Sequence, residues 1–269
     1  MLPTLILIAI LGILVGGLIN ALADDLPRRR APRLPQYPDD TPRPPSAWLG
    51  ITAFLLGKRT SPSGARLSWR YPLVEIGTAL LWVIAVLAAG SKPGMTDLQI
   101  IFWLAYMAIF MLITVIDLEH RLILFVVIIP SMILALVDAL VTSYGASLAN
   151  ALIGAAVGFG VFFALYLGGF LFTYVMSKQR GEQINEVAFG YGDVLLITLS
   201  GLILGWQPLI FAMFITVFLG ALGAILYLAA RALAGGRYTL FTPLPYGQYI
   251  IIGTVIMLLF STEIGVMLR

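Results

Sequence analysis

The chain has 269 residues, of which 60% are hydrophobic and 11% are charged, and it carries a net charge of +3 and no cysteine. Soluble domains have about 25% charged residues and a transmembrane helix needs about 20 apolar ones, so the hydrophobic residues could supply roughly eight spans. These values exclude an ordinary soluble enzyme, a nucleic-acid-binding domain, a disordered chain and an outer-membrane barrel, whose strands alternate apolar and polar residues. Without cysteine there is no disulfide, zinc–thiolate site or cysteine nucleophile.

Eight apolar stretches are predicted to form transmembrane helices, so the expected fold is an all-α polytopic membrane protein. They cover residues 2–22, 72–90, 98–116, 122–141, 147–176, 193–206, 208–230 and 247–268. The sixth is short and bounded by glycines, so we expect it to lie between other helices. The first could be a signal peptide, because Ala21-Leu22-Ala23 resembles a cleavage site. A retained span is favoured, since no basic residue precedes the apolar run and arginines follow it.

One large polar segment, residues 23–71, separates the first two stretches. It contains nine of the 16 Lys and Arg residues and eight of the 15 prolines. Because proline interrupts helices, we expect extended chain rather than long helices in this loop. We therefore predict a first transmembrane helix at 1–22, a basic proline-rich loop at 23–71 and a seven-helix membrane core at 72–269.

Basic residues indicate the orientation in the membrane, because they are concentrated in cytoplasmic loops. If residues 23–71 are cytoplasmic, then loops 117–121, 177–192 and 231–246 are cytoplasmic too, and 14 of the 16 basic residues lie on that side. Eight spans then put both termini outside. We predict an integral protein of the cytoplasmic (inner) membrane that contacts lipids and no nucleic acid. The sequence does not determine an oligomeric state.

Two aspartates are candidates for chemistry. Asp117 ends the third stretch and Asp193 opens the sixth, and the orientation puts both at the cytoplasmic boundary although they are 76 residues apart. Two facing carboxylates can share a proton, so that one activates a water while the other polarises a peptide carbonyl. Gly190 and Gly192 would let an extended substrate approach the backbone. Alternatively, Asp193 only caps a helix and Asp117 only pairs with Arg121.

These residues lie in segments that resemble the motifs of the type IV prepilin peptidases, which are GxGD-type membrane aspartyl proteases. Gly190-Tyr191-Gly192-Asp193 matches the GxGD signature, and the longer run 186–194 looks like the second aspartate motif of that family. Ile116-Asp117-Leu118-Glu119-His120-Arg121-Leu122-Ile123 is similar to the first aspartate motif. Further matches occur in family order at residues 16–20, 70–75, 204–206 and 245–247.

The resemblance implies a membrane aspartyl endopeptidase that removes leader peptides from prepilins or pseudopilins at the cytoplasmic face. Asp117 and Asp193 carry over as its catalytic pair. The bacterial long form of the family also N-methylates the new amino terminus with S-adenosylmethionine, an activity associated with the first cytoplasmic loop. Gly57 and Lys58 resemble a Gly-basic pair of that loop, and Glu75 belongs to a matched helix start. These three residues are therefore candidate cofactor contacts.

The sequence departs from the long form in the loop. That form usually has two CxxC pairs that would bind a structural zinc, and the second would fall around residues 59–63, so here no zinc is expected and methylation is an open question. Leu195 and Leu124 stand where the family often has Lys and Pro.

Two other functions remain open. One is a catalytically silent relative that binds pilin-like helices as an assembly factor, and the other is a proton-coupled transporter in which the same aspartates relay protons. Retention of both aspartates and both glycines favours the peptidase over the silent relative. The absence of a clear internal repeat disfavours the transporter.

Overall fold

The computed structural model describes residues 2–180, 190–233 and 246–267, and in these ranges it contains helices and loops but no β-strand. Its α-helices are α1 (Leu2–Asp25), α2 (Gly50–Leu55), α3 (Arg70–Gly90), α4 (Asp97–His120), α5 (Phe125–Val141), α6 (Leu148–Arg180), α7 (Tyr191–Leu204), α8 (Trp206–Leu233) and α9 (Gly247–Met267). Residues 186–189 of the second motif and Pro245 of the last one lie outside the described residues.

The predicted all-α membrane fold is confirmed. Each of the eight apolar stretches corresponds to one helix, and α2 is an additional short helix in the polar loop. In the described part of the chain, five helices are long and apolar enough to cross a membrane, namely α1, α3, α4, α6 and α8. The apolar parts of α5, α7 and α9 are shorter, at 10–17 residues.

The chain divides into two compact units, residues 1–122 and 123–269. In the first unit α1 lies directly against α3. A Cβ atom at Gly12 would lie 2.6 Å from the Ala79 Cα, and one at Gly16 would lie 2.5 Å from the Glu75 Cα. Glycine at both positions therefore lets the two helix backbones approach closely, as small residues do in membrane helix pairs.

The polar loop between α1 and α3 is folded onto these helices. Its longest helix, α2, has only six residues, which confirms the prediction that the prolines prevent long helices. Two isolated antiparallel bridges, Gln36 with Pro42 and Thr60 with Arg66, each close a turn. A small apolar core holds the loop together; it consists of Tyr37, Ala47, Ala53, Leu67 and Tyr71.

The second unit is built around α7. This helix contacts α5, α6, α8 and α9, and its residues are almost all buried from Val194 to Leu204. A close approach of α6 and α7 depends on glycine, because a Cβ at Gly158 would lie 2.8 Å from the Ile197 carbonyl oxygen. The Thr254 hydroxyl donates a hydrogen bond of 2.7 Å to Ser200 and joins α9 to α7. The prediction that the sixth stretch lies between other helices is therefore confirmed.

Candidate active site and attached loop

Asp117 lies in the last turn of α4, and only 7% of its surface is exposed. The helix ends where Arg121 adopts a left-handed conformation with φ of 54° and its backbone N–H donates to the Asp117 carbonyl oxygen at 2.8 Å. Ile113 and Ile116, near the same end of the helix, are also buried. A buried carboxylate is therefore positioned at the end of a membrane helix.

An ion-pair network holds this end of α4 in the first unit. Arg70, the first residue of α3, lies 2.6 Å from the Glu119 carboxylate and 2.6 Å from the Asp24 carboxylate. The Tyr71 hydroxyl donates to the other oxygen of Asp24 at 3.0 Å. The network joins α1, α3 and α4, and its residue in α4, Glu119, lies two residues beyond Asp117. The sequence analysis did not predict this network. Residues of opposite charge at the same predicted membrane boundary could have indicated it.

Asp193 lies in the first turn of α7, in the second unit. Its carboxylate accepts a hydrogen bond from the Gly190 backbone N–H at 3.1 Å, and its own N–H donates to the Gly190 carbonyl oxygen at 3.1 Å. Asp193 therefore helps to cap α7, but from the third helical position, because Gly190 and not Asp193 is the N-cap residue. A capping carboxylate at a helix N-terminus is also stabilised as an anion, so capping and a catalytic role are compatible.

The two glycines before Asp193, Gly190 and Gly192, differ in packing and exposure. A Cβ at Gly192 would lie 2.8 Å from the Ile123 side chain, so Gly192 allows close packing in the second unit. Gly190 has an ordinary extended backbone with φ of −80° and is exposed. Contact of either glycine with a substrate stays a prediction.

Aromatic residues surround the start of α7. The Tyr191 ring lies 6.4 Å from the Phe125 ring and 5.9 Å from the Tyr166 ring, measured between centroids. Tyr246, which precedes α9, is close enough to Asp193 that burial and the Asp193 carboxylate together raise the pKa of its phenol. Tyr246, from the motif at 245–247, thus lies near the second aspartate, a relationship that the sequence order alone did not reveal.

Glu75 is fully buried and holds α2 in place. Its carboxylate accepts hydrogen bonds from the backbone N–H groups of Gly50 and Ile51, the latter at 2.8 Å. The Asn20 amide donates to Glu75 at 3.4 Å and to the Tyr71 carbonyl oxygen at 2.9 Å. The motif segments at 16–20 and 70–75 therefore meet at the N-terminus of α2.

The candidate cofactor contacts are separated by α2. Glu75 lies at its N-terminus, whereas Gly57 and Lys58 follow its C-terminus, and six helical residues span roughly 9 Å. Gly57 has a positive φ of 68°, and the Lys58 ammonium donates to the Ser46 hydroxyl at 2.7 Å. Both are exposed, while both Glu75 oxygens already accept bonds from the chain. This arrangement suits Glu75 for anchoring the loop, and cofactor binding by the three residues stays a prediction.

The residues of the loop do not fit a zinc site. Among the described residues, no group of three or more His, Cys, Asp or Glu side chains could hold a metal ion. The two bridged turns are instead joined by hydroxyl groups around one carboxylate, which we call the Asp39 cluster. Thr41 and Ser61 donate to Asp39 at 2.7 and 2.6 Å, and Ser63 donates to it as well. These hydrogen bonds lower the pKa of Asp39 below its usual range.

The fold defines the class as a polytopic helical membrane protein, and its two candidate aspartates lie at helix ends. Residues 104–225, which include Asp117 and Asp193, match the profile of the type IV leader peptidase family. The resemblance seen in the motifs is therefore confirmed for this part of the chain.

Curated relatives agree with this assignment. Proteins named prepilin leader peptidase/N-methyltransferase from Pseudomonas putida, Pseudomonas aeruginosa and Bacillus subtilis are 29%, 27% and 26% identical to the chain. The alignments cover 81%, 80% and 82% of this chain and 69%, 66% and 78% of the respective relatives. No solved structure matches the chain significantly.

Proposed function

We propose that the protein is a membrane aspartyl endopeptidase that removes leader peptides from prepilin or pseudopilin substrates, with Asp117 and Asp193 as the catalytic pair. The observation that carries the proposal is that Asp117 lies in the last turn of one helix and Asp193 in the first turn of another, both inside the region that matches the profile of the leader peptidase family. The enzyme class is supported by the relatives, since each is named as a prepilin leader peptidase.

The proposed mechanism uses the two carboxylates in different protonation states. Asp193 acts as the general base, because the Gly190 N–H and the N-terminus of α7 stabilise its anion. It takes a proton from a water, whose oxygen attacks the carbonyl carbon of the scissile peptide. Asp117 carries the shared proton and donates a hydrogen bond to the carbonyl oxygen, which becomes the oxyanion of the tetrahedral intermediate. Collapse of the intermediate restores the carbonyl and breaks the C–N bond, and Asp193 gives the proton that it took from the water to the leaving amine.

The proposal is tested by leader removal from a co-expressed prepilin. Asp117→Asn and Asp193→Asn should each abolish processing, whereas Asp97→Asn, which changes an exposed aspartate in the first turn of α4, should leave it intact. Size-exclusion profiles in detergent check that the variants fold. Processing in either single variant at the wild-type rate would disprove the catalytic pair.

Two further measurements on the wild-type protein separate the alternatives. If the protein is a silent assembly factor, the wild-type form should bind prepilin without cleaving it. If it is a transporter, it should move protons across the membrane of proteoliposomes that contain no prepilin.

Our proposal includes an orientation in the inner membrane. Residues 72–269 form the protease core, the aspartates and the loop 23–71 face the cytoplasm, and both termini lie outside. Reporter fusions to the loop and to the C-terminus test this orientation.

We extend the proposal to N-methylation of the new amino terminus, with residues 23–71 as the region responsible. Support comes from the relatives' names and from the compact fold of the loop, which presents Gly57 and Lys58 on its surface. S-adenosylmethionine would supply the methyl group. Incubation with a prepilin and labelled S-adenosylmethionine reports cleavage and methylation separately, and cleavage without incorporated label would limit the function to proteolysis.

A further inference from the structure

Three large apolar side chains are exposed where the loop meets α3. Leu55 and Leu56 at the end of α2 are 80% and 58% exposed, and Trp69, directly before α3, is 62% exposed. We call Leu55, Leu56 and Trp69 the interfacial patch. Exposure of these side chains to water is unfavourable, because the transfer of apolar surface from water to an apolar environment lowers the free energy.

The patch is one connected surface. The Phe54 ring packs against the Trp69 ring with a centroid distance of 4.7 Å. The Arg59 guanidinium lies over the Phe54 ring at 4.9 Å and over the Trp69 ring at 5.9 Å. The C-terminal end of α2 is therefore held against the residue that precedes α3.

The position of α2 along α3 is also determined. Glu75 accepts the backbone N–H groups at the start of α2, and a Cβ at Gly50 would lie 2.7 Å from the Pro72 nitrogen. Residues 50–55 thus lie beside the first turns of a helix that is long and apolar enough to cross a membrane. This places α2 at the depth where that span leaves the bilayer.

The patch continues the exposed face of α3. Trp69, Leu73, Ile76 and Leu80 are exposed and are spaced by four, three and four residues, so they share one helix face. A different face of α3 packs on α1 through Glu75 and Ala79. Because the exposed face of a spanning helix contacts acyl chains, the patch lies at the end of a lipid-facing stripe.

Positive charge borders the patch. Lys58 and Arg66 are exposed, and Arg59 is half-buried over the aromatic rings. Trp and basic side chains are enriched together at membrane interfaces, where the ring lies at headgroup level and the cation contacts lipid phosphate. We propose that the interfacial patch inserts into the headgroup–acyl boundary of an anionic bilayer and anchors the loop to the membrane surface. The inference is independent of the proposed peptidase activity.

The natural absence of cysteine allows a direct test. Leu55→Cys and Leu56→Cys are labelled with a nitroxide, with Ala31→Cys as the control at an exposed loop position away from the patch. The full-length protein is reconstituted in vesicles of phosphatidylethanolamine and phosphatidylglycerol. Electron paramagnetic resonance then measures collisions with oxygen, which partitions into lipid, and with a water-soluble nickel chelate.

If the patch inserts into the bilayer, the ratio of oxygen to nickel collisions should be at least about threefold higher at positions 55 and 56 than at position 31. Equal ratios at the three positions would overturn it. Low collision rates with both reagents at 55 and 56 would also overturn it, because a protein surface would then cover the patch. When phosphatidylcholine replaces phosphatidylglycerol in the vesicles, the ratio at 55 and 56 should fall, and an unchanged ratio would overturn the preference for an anionic bilayer.

Discussion

The Arg70 guanidinium bridges the Glu119 and Asp24 carboxylates, at 2.6 Å from each. This single side chain joins the start of α3 to the ends of α4 and α1. Its partner in α4, Glu119, lies two residues beyond Asp117. The guanidinium also lies 4.2 Å above the Tyr71 ring. Because its side chain is only 14% exposed, the interaction is less screened by water than a surface ion pair.

We expect Arg70→Ala to destabilise the first unit by about 1–2 kcal/mol, since it leaves two partly buried carboxylates without their cation. Thermal unfolding in detergent measures the change. Arg30→Ala is the matched control, because Arg30 and its partner Asp40 are both well exposed and their pair should contribute little. Equal shifts for the two variants would contradict the importance of the network.

The second prediction concerns Glu75. Glu75→Gln puts an amide where two backbone N–H groups need acceptors, so one donor at the start of α2 loses its bond at a cost of about 1–3 kcal/mol. Trypsin cleavage after Lys58 and Arg59 should become faster, because α2 is no longer held on α3. The exposed variant Asp97→Asn is the control for a general loss of stability. Wild-type cleavage rates in Glu75→Gln would mean that the carboxylate does not anchor α2.

The third prediction is a pH dependence of the loop. In the folded protein the pKa of Asp39 is lowered, mainly by the Ser61, Ser63 and Thr41 hydroxyls. The Asp39 cluster therefore stabilises the fold at pH values above the pKa that Asp39 has in the unfolded chain. That contribution is lost as the pH falls below about 4 and through the folded pKa. The protection factors for amide hydrogen exchange in residues 60–66, which correct for the intrinsic effect of pH on exchange, should therefore fall in acid. In Asp39→Asn exchange should already be fast at neutral pH, and an unchanged acid profile in this variant would contradict the assignment.

The fourth prediction tests the contact between α6 and α7. Gly154→Ala should destabilise the second unit by about 1–3 kcal/mol, because the added Cβ would lie 2.8 Å from the Gly205 carbonyl carbon and 3.0 Å from that of Gly201. Gly160→Ala on the same helix is the matched control, since a Cβ there meets no atom within 4 Å. The control should be neutral or slightly stabilising, because alanine is the better helix former. Similar melting temperatures for the two variants would contradict close α6–α7 packing.

Local sequence determined the helices. A span needs a long apolar run, so the eight helix positions follow from hydropathy alone, and the prolines of 23–71 exclude long helices whatever their neighbours. The same local patterns identified Asp117 and Asp193 as boundary residues, because a carboxylate at the end of an apolar run is visible without a fold. The short helix α2 was not predicted as a helix, because its six residues become stable only when Glu75 accepts their N–H groups.

Tertiary structure alone decided the contacts that organise the first unit. The Asn20 and Glu75 side chains meet across 55 residues, Asp39 and Ser61 across 22, and Arg70 and Glu119 across 49. No hydropathy or spacing pattern predicts these pairs, because the helix pairs depend on how the helices pack and the loop pair depends on how the turns of the loop fold. The composition excluded a zinc–thiolate site, but only the fold revealed the hydroxyl–carboxylate cluster that joins the two turns.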